Sequence, residues 1–228
     1  MTQDATATTD SVPTRRAQAK VERRQALIEA TINSIADYGL SGTTMARVTE
    51  IAGTSIGLAN FHFENKERLF EAVLQHLADA ERAVWQDLVA RAPAHPADRL
   101  LALIDARFDP RICDPRTLAV WFAFWGDAGA RSIYRRVVEA TDDARLSTLV
   151  ALIRALGAPV ADPERTALGL EAFYDGLWLN MLLYPDDFPR NECRQRALEH
   201  LVALFPTQFA PLPAESPRGP GRKALQRT

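Results

Sequence analysis

Trp121 and Trp125 stand four residues apart, the interval that stacks side chains on one face of an α-helix, and Phe122 and Phe124 lie beside them. Tyr174 and Trp178 repeat that interval farther along, next to Phe173 and Asp175. The face of an aromatic ring attracts positive charge, so several rings with a carboxylate make a cage for an organic cation. Phe108, Trp121, Trp125, Tyr174 and Trp178 are the candidate walls of such a cage, and Asp175 its candidate carboxylate. The same spacing has a plainer use, because rings at helical intervals also fill the core of a bundle. On these residues alone, both readings stay open.

A second constellation lies nearer the N-terminus. Two short helical stretches flank Gly53-Thr54-Ser55, and a longer amphipathic stretch precedes them. That is the pattern of a helix-turn-helix, whose second short helix offers an outer face to the major groove. Gly53 permits the tight turn, while Val48, Ile51, Ala52, Ala59 and Phe63 are placed to brace the two helices. Ile56 and Leu58 read either as groove-facing contacts for thymine methyls or as ordinary core residues. His62 reads equally as a DNA contact or as packing.

Little else in the chain suggests chemistry. Cys113 and Cys193 are distant, and with His62, His76, His95 and His200 they show no metal-ligand spacing. No His/Cys/acid group recurs as a catalytic set, and no cofactor motif is present. The net charge is −2, and even the first 68 residues balance eight basic against eight acidic side chains. Any contact with nucleic acid must therefore come from local arrangement. No apolar run approaches transmembrane length, and the polar first residues lack the core of a signal peptide, which points to a cytoplasmic protein.

The elements that must position these residues are helices throughout. Periodicity predicts the first over about 21–38, stopped by Gly39, and a second capped by Thr43 and ended by Gly53. A third, capped by Ser55, reaches about Phe61. Asn65 caps a long fourth with the stripe Leu69, Val73, Leu77, Ala80, Val84 and Leu88. Prolines and glycines then bound helices at about 97–108, 116–126, 130–156, 164–183 and 190–204. The fold class is all-α, with about nine helices. Residues 1–20 read as a disordered basic arm and 21–66 as the helix-turn-helix unit, its motif at about 44–63. Residues 67–208 read as a ligand-binding and dimerisation body, and 209–228 as a disordered tail. The run Arg15, Arg16, Lys20, Arg23 and Arg24, just before the motif, reads as an arm reaching phosphates or the minor groove, or else as a solvated charge run. The tail cluster Arg218, Arg222, Lys223 and Arg227 reads as solvated charge.

From Arg24 to Val73 the chain resembles the DNA-binding head of the TetR family of bacterial repressors. The matching residues are Leu27-Ile28-Glu29-Ala30, Gly39, Thr43-Thr44, Ala52-Gly53, Ser55, Gly57, Phe63 and Asn65-Lys66-Glu67. The resemblance implies that Thr44 and Lys66 contact phosphate and that Ser55, Ile56, Gly57 and Leu58 enter the major groove. It implies that Asn60 and His62 reach base or phosphate. Asn60 departs from the usual tyrosine, His62 from a common aromatic, and Thr54 from the usual valine. In the body, Val120-Trp121-Phe122-Ala123-Phe124-Trp125, Ile133-Tyr134-Arg135-Arg136 and Leu168 to Leu179 are similar to the BetI-type, choline-responsive branch of the family. That branch implies a homodimer formed by the last two long helices, bound to a palindromic double-stranded operator and released by choline or a related quaternary ammonium compound. The alternatives are a family member with an unrelated apolar or aromatic ligand, a small helical enzyme, or an adaptor without a ligand.

Overall fold

The computed structural model describes residues 15–157 and 162–209. Among these residues all regular structure is helical: α1 (Arg15–Gly42), α2 (Met45–Ile51), α3 (Ile56–Phe63), α4 (Lys66–Arg91), α5 (Pro96–Ala106), α6 (Pro115–Gly126), α7 (Arg131–Ala155), α8 (Pro163–Leu183) and α9 (Arg190–Leu204). Proline opens α5, α6 and α8, where its missing N–H has no partner to lose, and His95, Asp114 and Asp162 cap those starts. These caps and breakers put the body helices close to the expected limits.

The first helix departs from expectation. Arg15 to Lys20 already belong to α1, so the described part of the basic run is a helical extension and not a loose arm. Arg, Ala, Gln and Lys are good helix formers, and no breaker separates them from the buried stripe Leu27, Ile28, Thr31 and Ile35. Residues 1–14 lie outside the described residues. At its other end α1 breaks at Gly39, whose φ of 69° lies in the left-handed region. Leu40 then turns into the core. Thr43, expected to cap α2, instead hydrogen-bonds Ser34 at 3.0 Å and donates to the Gly39 carbonyl at 2.8 Å. The cap is Thr44, which accepts from the Arg47 N–H at 3.2 Å.

Gly53, with φ of 62°, makes the turn between α2 and α3. Val48, Ala59 and Phe63 are buried between the helices, as the motif requires. Ile51 is exposed, contrary to its expected bracing role. Val48 and Thr49 both face inward on this seven-residue helix, and that orientation turns Ile51 to solvent.

Helix α4 packs against α1 on one side and against α5 and α7 on the other, so head and body share it. Helix α6 packs along α1, where the Arg116 guanidinium reaches Asn33 at 3.2 Å and Asp37 at 3.4 Å. Helix α8 packs against α6, α7 and α9. Phe209, expected to begin the tail, is buried beside Phe205; residues 210–228 lie outside the described residues.

Charge as well as apolar surface holds the body together. Glu81 of α4 is buried and receives Arg107 at 3.0 Å and Arg145 at 2.5 Å, two guanidiniums that are themselves buried. Glu81→Ala leaves both cations facing a missing partner, a loss of about 3–5 kcal/mol. Thermal unfolding should show a fall of at least about 6 °C; a fall under about 2 °C would show that the arginines find other partners.

Candidate functional site

Helix α3 presents one contiguous outer face. Ile56, Gly57, Asn60 and Phe61 are all exposed there, while Ala59 and Phe63 point inward. Ser55 sits at the start as the helix cap, accepting from the Leu58 N–H at 3.2 Å. Leu58 and His62, both expected on the outer face, are half-buried along its edge. Phe61 was not foreseen. It stands four residues after Gly57, so helical spacing alone places it on the same face.

The first helix frames this face with positive charge. The Lys20 ammonium lies 5.3 Å from the centre of the Phe61 ring, and the Arg24 guanidinium lies 5.0 Å from that of Phe63. Burial together with Lys20, Arg24 and Arg23 holds His62 below the usual imidazole range. The same clustered cations suit a phosphate backbone passing beside α3.

Lys66 is half-buried. Its ammonium donates to the Leu40 carbonyl at 3.1 Å and lies 5.0 Å from the centre of the Phe70 ring. It thus ties the start of α4 to the segment after the α1 kink. An ammonium carries three N–H donors, so this bond leaves two.

The second candidate site is a partly open cavity of about 50 Å³ in the body. Trp121 and Trp125 of α6 and Trp178 and Asp175 of α8 border it, as the cage reading expected. Tyr134, Asp142 and Arg145 of α7, Glu81 of α4 and Arg107 complete the wall. Tyr134 meets Trp121 and Trp125 edge-on, at 6.1 and 6.3 Å, and its hydroxyl donates to Asp142 at 3.0 Å.

Three expected wall residues have other roles. Tyr174 and Phe108 do not border the cavity; both are fully buried and pack edge-to-face at 6.3 Å. Trp178 does border it, but Arg107 covers a face of its ring at 3.9 Å, and its indole N–H donates to the Arg107 carbonyl at 2.9 Å. The protein's own cation therefore occupies that face. The rings left for a ligand are Trp121, Trp125 and Tyr134.

Charge around the cavity is unbalanced. Arg107 also pairs with Asp175, and Arg145 with Glu171 at 2.7 Å and Asp142 at 3.3 Å. Four carboxylates thus face two guanidiniums, and three of the four, Glu81, Asp142 and Asp175, border the cavity. Burial opposes the charge on Glu171, but Arg107 and Arg145 hold its carboxyl below the usual range. At Asp142 and Asp175 burial prevails and pushes both carboxyls up. The chemistry missed in the sequence had a signal. Glu81, Arg107 and Arg145 each fall on an apolar stripe, where a charge has to find an internal partner.

A helix-turn-helix with an exposed outer face, joined to a helical body that carries a cavity, defines the class of DNA-binding transcriptional regulators. The comparisons with known proteins agree. Residues 27–73 match the bacterial regulatory proteins of the tetR family, and residues 96–206 match the C-terminal part of the BetI-type transcriptional repressors. The chain belongs to the TetR family, in its BetI-type branch, and is a transcriptional regulator rather than an enzyme. It is 34% identical over 186 residues to the HTH-type transcriptional regulator BetI of Paraburkholderia phymatum, covering 80% of this chain and 93% of the relative. With the regulator BetI 1 of Chromohalobacter salexigens it shares 31% identity over 185 residues, covering 78% and 88%. Among solved structures, a transcriptional regulator from Pseudomonas aeruginosa PAO1 matches with a TM-score of 0.71 and 28% identity, covering 82% of this chain and 92% of the other. A regulator from Saccharomonospora viridis, in complex with choline, shares the fold with a TM-score of 0.69 at 19% identity, covering 80% and 96%. TetR-family regulators bind DNA and small-molecule effectors and act as dimers.

The recognition face yields a direct test. A Cβ added at Gly57 meets only the Ser55 hydroxyl, at 3.9 Å, and Gly57 has no positive φ. Gly57→Ala should leave stability unchanged or raise it by up to about 1 kcal/mol, yet weaken binding to a selected operator at least tenfold. Undiminished binding in a gel shift would show that DNA does not approach the backbone at this position.

Proposed function

We propose that this protein is a homodimeric repressor that releases a palindromic operator when its body binds a small organic cation, choline or a related quaternary ammonium compound. One observation carries the ligand reading. Trp121, Trp125 and Tyr134 surround a cavity whose carboxylates outnumber its guanidiniums. A trimethylammonium group has no N–H to donate, so its site must rely on ring faces and on the field of nearby carboxylates. The names of the BetI relatives and the choline-bound structural neighbour support the same class of ligand.

On this reading residues 15–66 form the DNA-binding unit and 67–209 the effector and dimerisation unit, working in the cytoplasm. Ser55, Ile56, Gly57, Asn60 and Phe61 face the groove, with Leu58 and His62 at its edge. Thr44 and Lys66 bind phosphate, Lys66 through the donors that Leu40 leaves free. Dimerisation uses α8 and α9, where Leu168, Leu179, Leu183 and Leu204 are exposed and Gly169 and Gly176 leave room for a close neighbour. An apolar stripe of this kind on a helix pair suits self-complementary packing with a second copy. Helices α6 and α7 connect cavity and head. The first carries Trp121 and Trp125 as well as Arg116, bound to α1; the second carries Tyr134 as well as Arg136, paired with Glu67 and Glu71 at the start of α4. A ligand that binds one arrangement of these helices better than the other shifts the population toward it.

Calorimetry with choline tests the ligand. Trp125→Leu should weaken binding about threefold to thirtyfold, the range of one lost cation–π contact, while dimer and operator binding persist. Trp178→Leu should mainly lower stability, because it removes the ring under Arg107 and the indole N–H bonded to the Arg107 carbonyl. The neutral isostere of choline, with carbon in place of nitrogen, should not bind; if it binds equally well, the effector is an apolar molecule and not a cation.

Acidity gives an independent check. Burial raises the Asp142 and Asp175 carboxyls, and a bound cation favours their ionised forms, so binding releases protons wherever these groups are partly protonated. Choline affinity should therefore climb as pH leaves the carboxylate range and level off above it. A flat profile across that interval removes both residues from the cage.

A further inference from the structure

The exposed face of α3 is mostly apolar. Phe61 is 68% exposed and Ile56 48%, Gly57 adds no side chain, and Asn60 is the one exposed polar side chain within Ile56–Phe63, with the Ser55 cap at its start and His62 half-buried at its edge. Residues Ile56–Phe63 include neither Arg nor Lys. These types matter because the major groove distinguishes base pairs by chemistry. Guanine offers O6 and N7 acceptors, which Arg or Lys reads, whereas an A·T pair offers the thymine methyl to apolar side chains and adenine N6 and N7 to Asn or Gln.

The nearby cations are held at the margins. Arg24 lies over Phe63; Arg47 lies 4.2 Å from the centre of the Tyr38 ring and donates to the Gly42 carbonyl; Lys66 donates to Leu40. Lys20 lies over Phe61 itself, at the rim of the face. Their placement suits phosphates on either side of the groove and leaves its floor to Ile56, Asn60 and Phe61. Two large apolar side chains exposed at opposite edges of one short helix face suit an apolar partner that spans the face.

We propose that α3 reads an A·T-rich half-site core, with Ile56 and Phe61 packing on thymine methyls and Asn60 pairing bidentately with adenine. This inference rests on the proposed DNA-contacting role of α3 and adds the class of base pair that the helix selects. Phe61 becomes a specificity-determining residue, and Lys20, stacked on its ring, supplies the adjoining phosphate contact.

The test uses the full-length protein. Its operator is first selected from a random DNA pool, and the winning site is remade with each thymine of the half-site replaced in turn by uracil, a change that removes only the 5-methyl group. Uracil should weaken wild-type binding about threefold to fivefold at each contacted thymine, the value of one buried methyl. Ile56→Ala and Phe61→Ala should each lose sensitivity at one thymine, and Asn60→Ala should lose the preference for adenine at one position. All three side chains are exposed, so these variants retain the fold. A G·C-rich core, or uracil operators bound as well as thymine ones, overturns the inference. The underlying reading fails in a different way. In that case no sequence is bound better than random DNA, or a selected site is bound unchanged by all three variants. A G·C-rich site whose binding needs these residues would end the base-pair inference and leave α3 in the groove.

Discussion

The guanidiniums of Arg107 and Arg145 lie inside the body with almost no access to water, and one buried carboxylate, Glu81, serves them both. A charge can leave water only for opposite charge and for hydrogen bonds that replace those of the solvent. Meeting that demand draws in Asp175 and Glu171 from α8 and Asp142 from α7. Helices α4, α7 and α8 are thereby fixed around one cluster, together with the end of α5. In general a buried charge cluster contributes no more to net stability than apolar packing of the same volume, and often less. What it specifies is relative position, because guanidinium–carboxylate pairs tolerate little slippage.

The same constraint shapes the cavity. Arg107 lies over the Trp178 ring while its partners Glu81 and Asp175 hold its guanidinium there. The cation–π contact that the sequence suggested for a ligand is thus partly made within the protein. The guest is left with Trp121, Trp125 and Tyr134, and with carboxylates beyond those needed to balance the arginines. One charged network accordingly sets both the scaffold and the sign of charge the chamber prefers.

Most of the fold was legible because its boundaries are written in prolines, glycines and short polar caps. Gly39, Gly53, Pro96, Pro115 and Pro163 each act at the position their chemistry predicts. The polar start of α1 misled because composition alone does not separate a solvated helix from a loose arm. Thr43 and Thr44 are chemically alike, and only the bond from Ser34 to Thr43 leaves the cap to Thr44. The cavity was legible in part. Spacing grouped Trp121 with Trp125 and Tyr174 with Trp178, but it carries no information about which ring points to the core. The location of Tyr134 against the tryptophans and of Arg107 over Trp178 depends on how α5, α6, α7 and α8 cross, which no single-helix pattern encodes.

Helix α4 begins at Lys66, beside the recognition helix, and carries Glu81 fifteen residues later in the cavity wall. At 1.5 Å of rise per residue, these points are about 22 Å apart along a rigid rod. The arrangement gives leverage. A tilt of only about 5° about Glu81 would carry the Lys66 end about 2 Å sideways, by the same helix geometry. In a two-fold dimer the two rods would move in opposite senses, so the relative displacement of the recognition helices would double to about 4 Å. Register against successive major grooves, about 34 Å apart, does not survive an error of that size. A guest that tilts α4 slightly where it lines the cavity is therefore working at the short end of a long arm.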